Sequence, residues 1–135
     1  MAEWSKRDRL AATLRGEPAD RPAVALWRHF PGDDQRAEDL ARSHIEFQRC
    51  FDFDFVKVTP ASSFCVQDWG CEDVYEGNLE GTRRYLRRRV MKTADWAEVP
   101  TLDVQQGSLG RQRRCLALLR EGLGDVPFIQ TIFNP

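Results

Sequence analysis

The chain has 135 residues, of which 41% are hydrophobic and 30% are charged, a composition typical of a protein with a packed core. Its net charge of −1 argues against non-specific nucleic-acid binding, which needs a strong basic excess. No apolar run reaches membrane-spanning length, and the N-terminal residues lack the apolar region of a secretory signal. These features predict a cytoplasmic protein that binds neither nucleic acid nor membrane.

The first predicted element is a helix of about three turns. Ser5 and Asp8 resemble a capping box, with Asp in place of the usual Glu. Leu10 and Leu14 lie on an apolar stripe, and Gly16 suits the position that follows a helix.

A strand is predicted at residues 23–27, Ala-Val-Ala-Leu-Trp, because this run is apolar on both faces. The strand ends in Arg28 and His29 and enters a Pro-Gly loop. An arginine there could clamp a carboxylate or phosphate, and a histidine could act as acid, base or hydrogen-bond donor. The alternative is that Arg28 pairs with Asp33 or Asp34 and His29 is a capped loop residue.

A helix is predicted at residues 36–50, followed by a buried parallel strand at residues 53–59. His44 lies on the apolar side of this helix and is expected to be a satisfied interior residue rather than a ligand. Asp52 and Asp54 alternate with phenylalanines, and we expect them to be solvated at the entry end of the strand.

Binding groups are expected where the predicted parallel strands end, since the loops there collect them in α/β proteins. Thr59 ends the second strand, and Ser62, Ser63 and Trp69 follow it. Asn134 ends a third predicted strand at 126–133, which follows a helix that starts at Ser108.

Residues 74–78 and 82–91 are predicted to form the two arms of a β-hairpin, with the turn between them rich in glycine. The second arm is strongly basic. Its arginines are Arg83, Arg84, Arg87, Arg88 and Arg89. They favour a solvated face of the hairpin; the alternative is a rim that attracts an acidic small molecule.

The four cysteines form no C-x-x-C pair and fit no zinc spacing. They are therefore interpreted as reduced thiols that lie partly in the core, and no metal site is expected from them.

The order of helices and strands predicts an α/β fold that forms the N-terminal part of a TIM-type (β/α)8 barrel with an inserted β-hairpin. Three strands cannot close a barrel, which takes roughly 250 residues. Residues 1–135 are therefore predicted to be one incomplete domain, expected to self-associate or to pair with the remainder of the barrel.

Several short motifs, in this order and spacing, resemble the uroporphyrinogen decarboxylase family over nearly the whole chain. The family includes haem-pathway decarboxylases and zinc-dependent corrinoid or coenzyme M methyltransferases, all of them (β/α)8 barrels. The motifs are Ser5-Lys-Arg-Asp-Arg-Leu, Leu14-Arg-Gly-Glu-Pro-Ala-Asp-Arg-Pro22, Phe51-Asp-Phe-Asp-Phe-Val-Lys-Val-Thr-Pro60, Asp68-Trp-Gly70 and Pro127-Phe-Ile-Gln-Thr-Ile-Phe-Asn-Pro135.

The resemblance implies a lyase of porphyrin metabolism with an acidic small-molecule substrate. It places Arg28 against a substrate carboxylate, as in the decarboxylase motif Met-Arg-Gln-Ala-Gly-Arg, whose second arginine is here Gly32. The decarboxylases also carry an Asp after the second strand, where this chain has Thr59-Pro60-Ala61.

Two alternatives to the decarboxylase reading stay open. The first is a methyltransferase-like protein of the same family, which would take zinc from the second half of the barrel. This segment itself is expected to hold no cofactor. The second alternative is a non-catalytic binding module completed by a partner chain. The isolated chain is expected to be inactive.

Overall fold

The computed structural model describes residues 4–133 and shows a mixed α/β fold. Its helices are α1 (Lys6–Arg15), α2 (Ala37–Phe51) and α3 (Gly107–Leu123). Its strands are β1 (Val56–Val58), β2 (Glu72–Val74), β3 (Arg84–Arg87) and β4 (Phe128–Gln130). Two 3-10 helices span Gln67–Trp69 and Thr93–Glu98.

Helix α1 begins and ends where its capping residues predict. The Ser5 hydroxyl accepts a hydrogen bond from the Asp8 N–H at 3.1 Å, and Gly16 adopts the left-handed conformation with φ of 68°. The predicted apolar stripe is only partly correct. Leu14 is 78% exposed, whereas Arg9 is buried on the inner face of the helix.

The core forms where α2 and α3 pack against each other beside a parallel pair of strands, β1 and β4. Val56 lies opposite Phe128 and Val58 lies opposite Gln130, which confirms the predicted parallel pairing. The buried core residues are small and aliphatic, as the apolar faces of both helices predict. They are Ala37, Leu40, Ala41, Val56, Val58, Cys115, Leu119 and Leu123.

The prediction of a strand at residues 23–27 is wrong. This segment is extended but is not part of a sheet; its backbone link to the second strand region runs from the Asp54 N–H to the Val24 carbonyl at 2.9 Å. A strand that is apolar on both faces needs cover on both faces. Among residues 4–133, Leu26 and Trp27 are only partly covered and remain 64% and 51% exposed.

The expectation that Asp54 is solvated is also wrong. Its side chain is only 1% exposed and accepts hydrogen bonds from Arg9 at 2.7 Å, from Arg21 at 2.9 Å and from the Val24 N–H at 2.8 Å. Burial alone would raise the pKa of Asp54, but the bonds from Arg21, Val24 and Arg9 lower it to about 2. This cluster ties α1 and the extended segment to the start of β1.

The predicted hairpin is confirmed, since β2 and β3 pair in antiparallel fashion with an irregularity between Glu72 and Asp73. Two of its five arginines are neutralised by glutamates of the hairpin itself. Arg84 pairs with Glu76 at 2.6 Å and Arg87 pairs with Glu72 at 2.7 Å, which agrees with a solvated face.

Two further expectations concern the cysteines and the helices. All four cysteines are free; Cys115 is buried in the core and Cys50 is exposed. Burial raises the pKa of the Cys115 thiol to about 12, so it remains a thiol at neutral pH. Within residues 4–133, no helix combines the length and the apolar character needed to cross a bilayer.

Candidate functional site

The candidate site is a pocket of about 380 Å³ between the end of the extended segment and the tip of the hairpin. Arg28, His29 and Pro31 form one wall. The other wall is formed by Tyr75 and by residues 78–81 of the hairpin turn, including the exposed carboxylate of Glu80. The predicted Arg-His pair therefore lines a cavity large enough for a small molecule.

The hairpin tip is held in a fixed shape by its own hydrogen bonds. The Asn78 side chain donates to the Thr82 carbonyl at 2.7 Å and accepts from the Thr82 N–H at 3.1 Å. Gly81 adopts a φ of 73°, and a β-carbon built there would lie 2.6 Å from the Cβ of His29. Only glycine allows the turn to come this close to His29.

Arg83 anchors the hairpin to the rest of the fold. Its side chain is 10% exposed and pairs with Asp34 at 3.0 Å and with Asp73 at 3.1 Å, and it also donates to the Pro31 carbonyl at 3.3 Å. Both carboxylates are almost fully buried. A buried ion pair of this kind fixes geometry because removing either partner leaves an uncompensated charge.

Arg28 is left with its charge available for a ligand. Its Nε donates to the His29 carbonyl at 3.3 Å, and its guanidinium lies 5.4 Å from the centre of the Phe30 ring. Among residues 4–133, it pairs with no carboxylate. The alternative pairing with Asp33 or Asp34 is not made: Asp34 binds Arg83, and Asp33 accepts from the Ser43 hydroxyl at 2.5 Å.

His29 is 8% exposed, and its lowered pKa favours the neutral imidazole. Burial lowers its pKa; the Asp34 carboxylate opposes this effect and the Lys57 ammonium adds to it. Lys57 itself lies 3.8 Å from the centre of the Trp27 ring, a cation–π contact that occupies the lysine outside the pocket. A neutral imidazole can donate one hydrogen bond and accept another.

The loop after β1 joins the hairpin rather than lining this pocket. Thr59 and Ser63 are each 1% exposed; the Thr59 N–H donates to Nε2 of His44 at 2.8 Å, and the Ser63 hydroxyl donates to the Asp73 carboxylate. The Ser62 hydroxyl accepts from the Arg83 N–H at 3.4 Å. Their contact with a substrate stays a prediction.

Two other predicted site residues lie elsewhere. The Trp69 indole donates to the Pro100 carbonyl at 2.8 Å and faces a second pocket. Asn134 lies outside the described residues. His44 is an interior residue, as expected, since it is 2% exposed, and burial lowers its pKa to about 4. The expectation that it is satisfied is only partly correct, because its buried Nδ1 has no hydrogen-bond partner within residues 4–133.

The sequence reasoning missed the residues that hold the hairpin wall of the pocket in place, Gly81 and Arg83. Arg83 is one of five arginines in a short basic run, and no local signal separates it from the other four. Gly81 was interpreted only as a turn residue, although its positive φ and its closeness to His29 both require glycine.

The comparisons with known proteins support the fold. Neither a family profile nor a curated protein matches this sequence. Among solved structures, the chain is similar to a methyltransferase from Methanosarcina mazei, with a TM-score of 0.76 and 22% sequence identity. The similarity covers 95% of this chain and 42% of that chain, so this chain spans less than half the length of the protein it resembles.

At 22% identity, this likeness defines a shared α/β fold and does not by itself define an activity. The resemblance to uroporphyrinogen decarboxylases, together with the lyase and porphyrin assignments, stays a prediction.

Proposed function

We propose that this chain is part of a methyltransferase-like (β/α)8 barrel and that its Arg28–His29 pocket binds the anionic group of an acidic small molecule. The observation that carries the proposal is the backbone similarity to a methyltransferase over 95% of the chain. In barrels of this type, the active site is built from loops that follow the strands. One wall of the pocket is the hairpin tip, which belongs to the long connection between β1 and β4.

In this proposal, Arg28 and His29 contact the bound anion, and the hairpin forms the opposite wall. Arg28 supplies an unpaired guanidinium, which binds a carboxylate, sulfonate or phosphate through charge-assisted hydrogen bonds. His29, buried at the wall of the pocket, supplies a hydrogen bond next to the bound anion. Gly81 and the Arg83 ion pairs hold the opposite wall, so the space between them keeps its shape.

Barrel completion is supported by the surfaces that the described residues leave uncovered. The parallel sheet within residues 4–133 has two strands, so β1 and β4 each have an edge without a partner there. Ile129 and Ile132 are 47% and 77% exposed. Further parallel strands would cover these edges and apolar side chains, as they do in a closed barrel.

A zinc ion would have to be held by residues outside this part of the chain. Among residues 4–133, no group of three or more His, Cys, Asp or Glu side chains is arranged to hold a metal ion. No chemical step is therefore assigned to zinc here.

The methyltransferase-like function is favoured over uroporphyrinogen decarboxylation because the buried carboxylates near the pocket are already paired with an arginine. A decarboxylase of this family grips pyrrole N–H groups with an aspartate after the second strand. Here the buried carboxylates near that place, Asp34 and Asp73, are both paired with Arg83. Neither is available to accept from a ligand without breaking a buried ion pair.

The test is a paired activity assay on the protein as its gene encodes it. Methyl transfer from methylcobalamin to coenzyme M is followed by mass spectrometry, and carbon dioxide release from uroporphyrinogen is followed in parallel. We expect methyl transfer and no decarboxylation. Decarboxylation without methyl transfer would reverse the order of the two readings, and a folded protein inactive in both assays would contradict the proposal.

A further inference from the structure

A second pocket is lined by residues of β3 and of the two 3-10 helices and is separate from the Arg28–His29 site. It has a volume of about 420 Å³ and shares no lining residue with that site. Strand β3 and the two 3-10 helices form its walls. Its volume falls within the range of about 300–1,000 Å³ that is usual for small-molecule sites.

Three aromatic side chains, Trp69, Tyr85 and Trp96, are among the nine residues that line this pocket. Trp69 is fixed by the hydrogen bond from its indole to the Pro100 carbonyl at 2.8 Å, while Trp96, which also lines the pocket, is 53% exposed. Tyr85, on β3, also lines the pocket, and Val66, Val90 and Val99 add apolar side chains. Flat aromatic walls are suited to a planar ring, which they bind by stacking or edge contacts.

The charge of the pocket is positive. The Arg88 guanidinium lies 5.5 Å from the centre of the Tyr85 ring and, within residues 4–133, pairs with no carboxylate. Its neighbours on the hairpin differ, because Arg84 and Arg87 are both neutralised by glutamates. The other arginine of the pocket, Arg89, donates to the Glu98 carbonyl at 3.0 Å, and its carboxylate contact is longer, at 3.7 Å.

We propose that this second pocket binds a planar aromatic small molecule that carries an anionic group, with the ring against Trp69 and Trp96 and the anion on Arg88. Aromatic walls of this kind also recognise quaternary ammonium groups in other proteins. Here a cation is disfavoured, since two guanidinium groups line the pocket and no Asp or Glu does. The inference does not depend on the proposed methyltransferase-like function.

The test uses three ligands with the same ring and different charges. Naphthalene-2-carboxylate, naphthalene-2-carboxamide and 2-naphthylmethylammonium are titrated into the protein as its gene encodes it, and binding is followed by ligand-observed NMR. We expect the carboxylate to bind most tightly and the ammonium most weakly. The Arg88→Gln variant should weaken carboxylate binding by about tenfold, the scale of one charge-assisted hydrogen bond, and leave carboxamide binding unchanged.

Two further variants separate the aromatic contribution from the charge. Trp96→Ala, at a largely exposed position, should weaken all three ligands alike because it removes a wall and not a charge. Arg84→Gln is the matched control: it removes an arginine of the same hairpin that lies outside the pocket, and it should change nothing. Equal affinity for the three ligands, or a carboxylate affinity that Arg88→Gln leaves intact, would overturn the proposal.

Discussion

Replacing Asp54 by Asn should destabilise the protein strongly, because this carboxylate joins three parts of the fold. It is buried and binds Arg9 of α1, Arg21 of the following turn and the backbone of Val24. Its pKa is lowered from 3.8 to about 2. At about 1.36 kcal/mol for each tenfold change in proton affinity, this corresponds to about 2 kcal/mol of stability.

The total loss in the free energy of unfolding should be about 2–4 kcal/mol, since the substitution also leaves Arg9 with one fewer buried partner. The pH dependence has a definite sign. A lowered carboxyl pKa contributes stability that is complete above the unfolded value of 3.8 and is lost as the pH falls through about 2. The difference between wild type and Asp54→Asn should therefore be constant above about pH 5 and shrink toward pH 2.

The assay is urea unfolding at several pH values, with Asp52→Asn as the matched control. Asp52 is 83% exposed and pairs with Lys6 at 2.8 Å, so its loss should cost no more than about 1 kcal/mol. Asn also tolerates the left-handed conformation that Asp52 adopts, with φ of 52°. If the two variants lose equal stability, or if the Asp54→Asn difference does not depend on pH, the reasoning is refuted.

Three further predictions follow from individual positions. Gly81→Ala should lose about 1–3 kcal/mol more than Gly77→Ala in urea unfolding, because both glycines have a positive φ but only the new methyl group at Gly81 meets His29; equal losses would show that the contact is unimportant. The imidazole of His44 should stay neutral at pH 5 by NMR, and stability should decline as the pH falls from 6.5 to 4, since its folded pKa is about 4; titration near 6.5 would contradict its burial. Residues 1–135 alone should elute from a sizing column with light scattering as species larger than the 15.6 kDa monomer, because large apolar side chains and strand edges are exposed; a clean monomer would count against barrel completion.

Local signals were sufficient to predict the helices and the hairpin. Ser5 and Gly16 mark the two ends of α1 through hydrogen bonds that are close in sequence. The parallel pairing of β1 with β4 also followed from two short apolar runs that are separated by helical segments.

The errors have one physical cause, which is that the deciding contacts are distant in sequence. Asp54 was placed in solvent because its neighbours suggest a strand entry, whereas its partners Arg9 and Arg21 lie 45 and 33 residues away. Arg83 was placed on a solvated face, yet its side chain is 10% exposed and binds Asp34, which lies 49 residues away in sequence. The segment at 23–27 has the composition of a strand, but a strand forms only where neighbours pair with it.

The account is tested most directly by the affinity for coenzyme M, an anionic small molecule, measured by titration calorimetry on the protein as its gene encodes it. Arg28→Ala should weaken binding by about 1.5–3 kcal/mol, or roughly 10- to 150-fold, which is the scale of a hydrogen bond to a charged group. Arg36→Ala, at an exposed position with a partner of its own on α2, should leave the affinity unchanged. If Arg28→Ala unfolds the protein while the folded fraction binds coenzyme M as wild type does, Arg28 is structural and the site is misassigned.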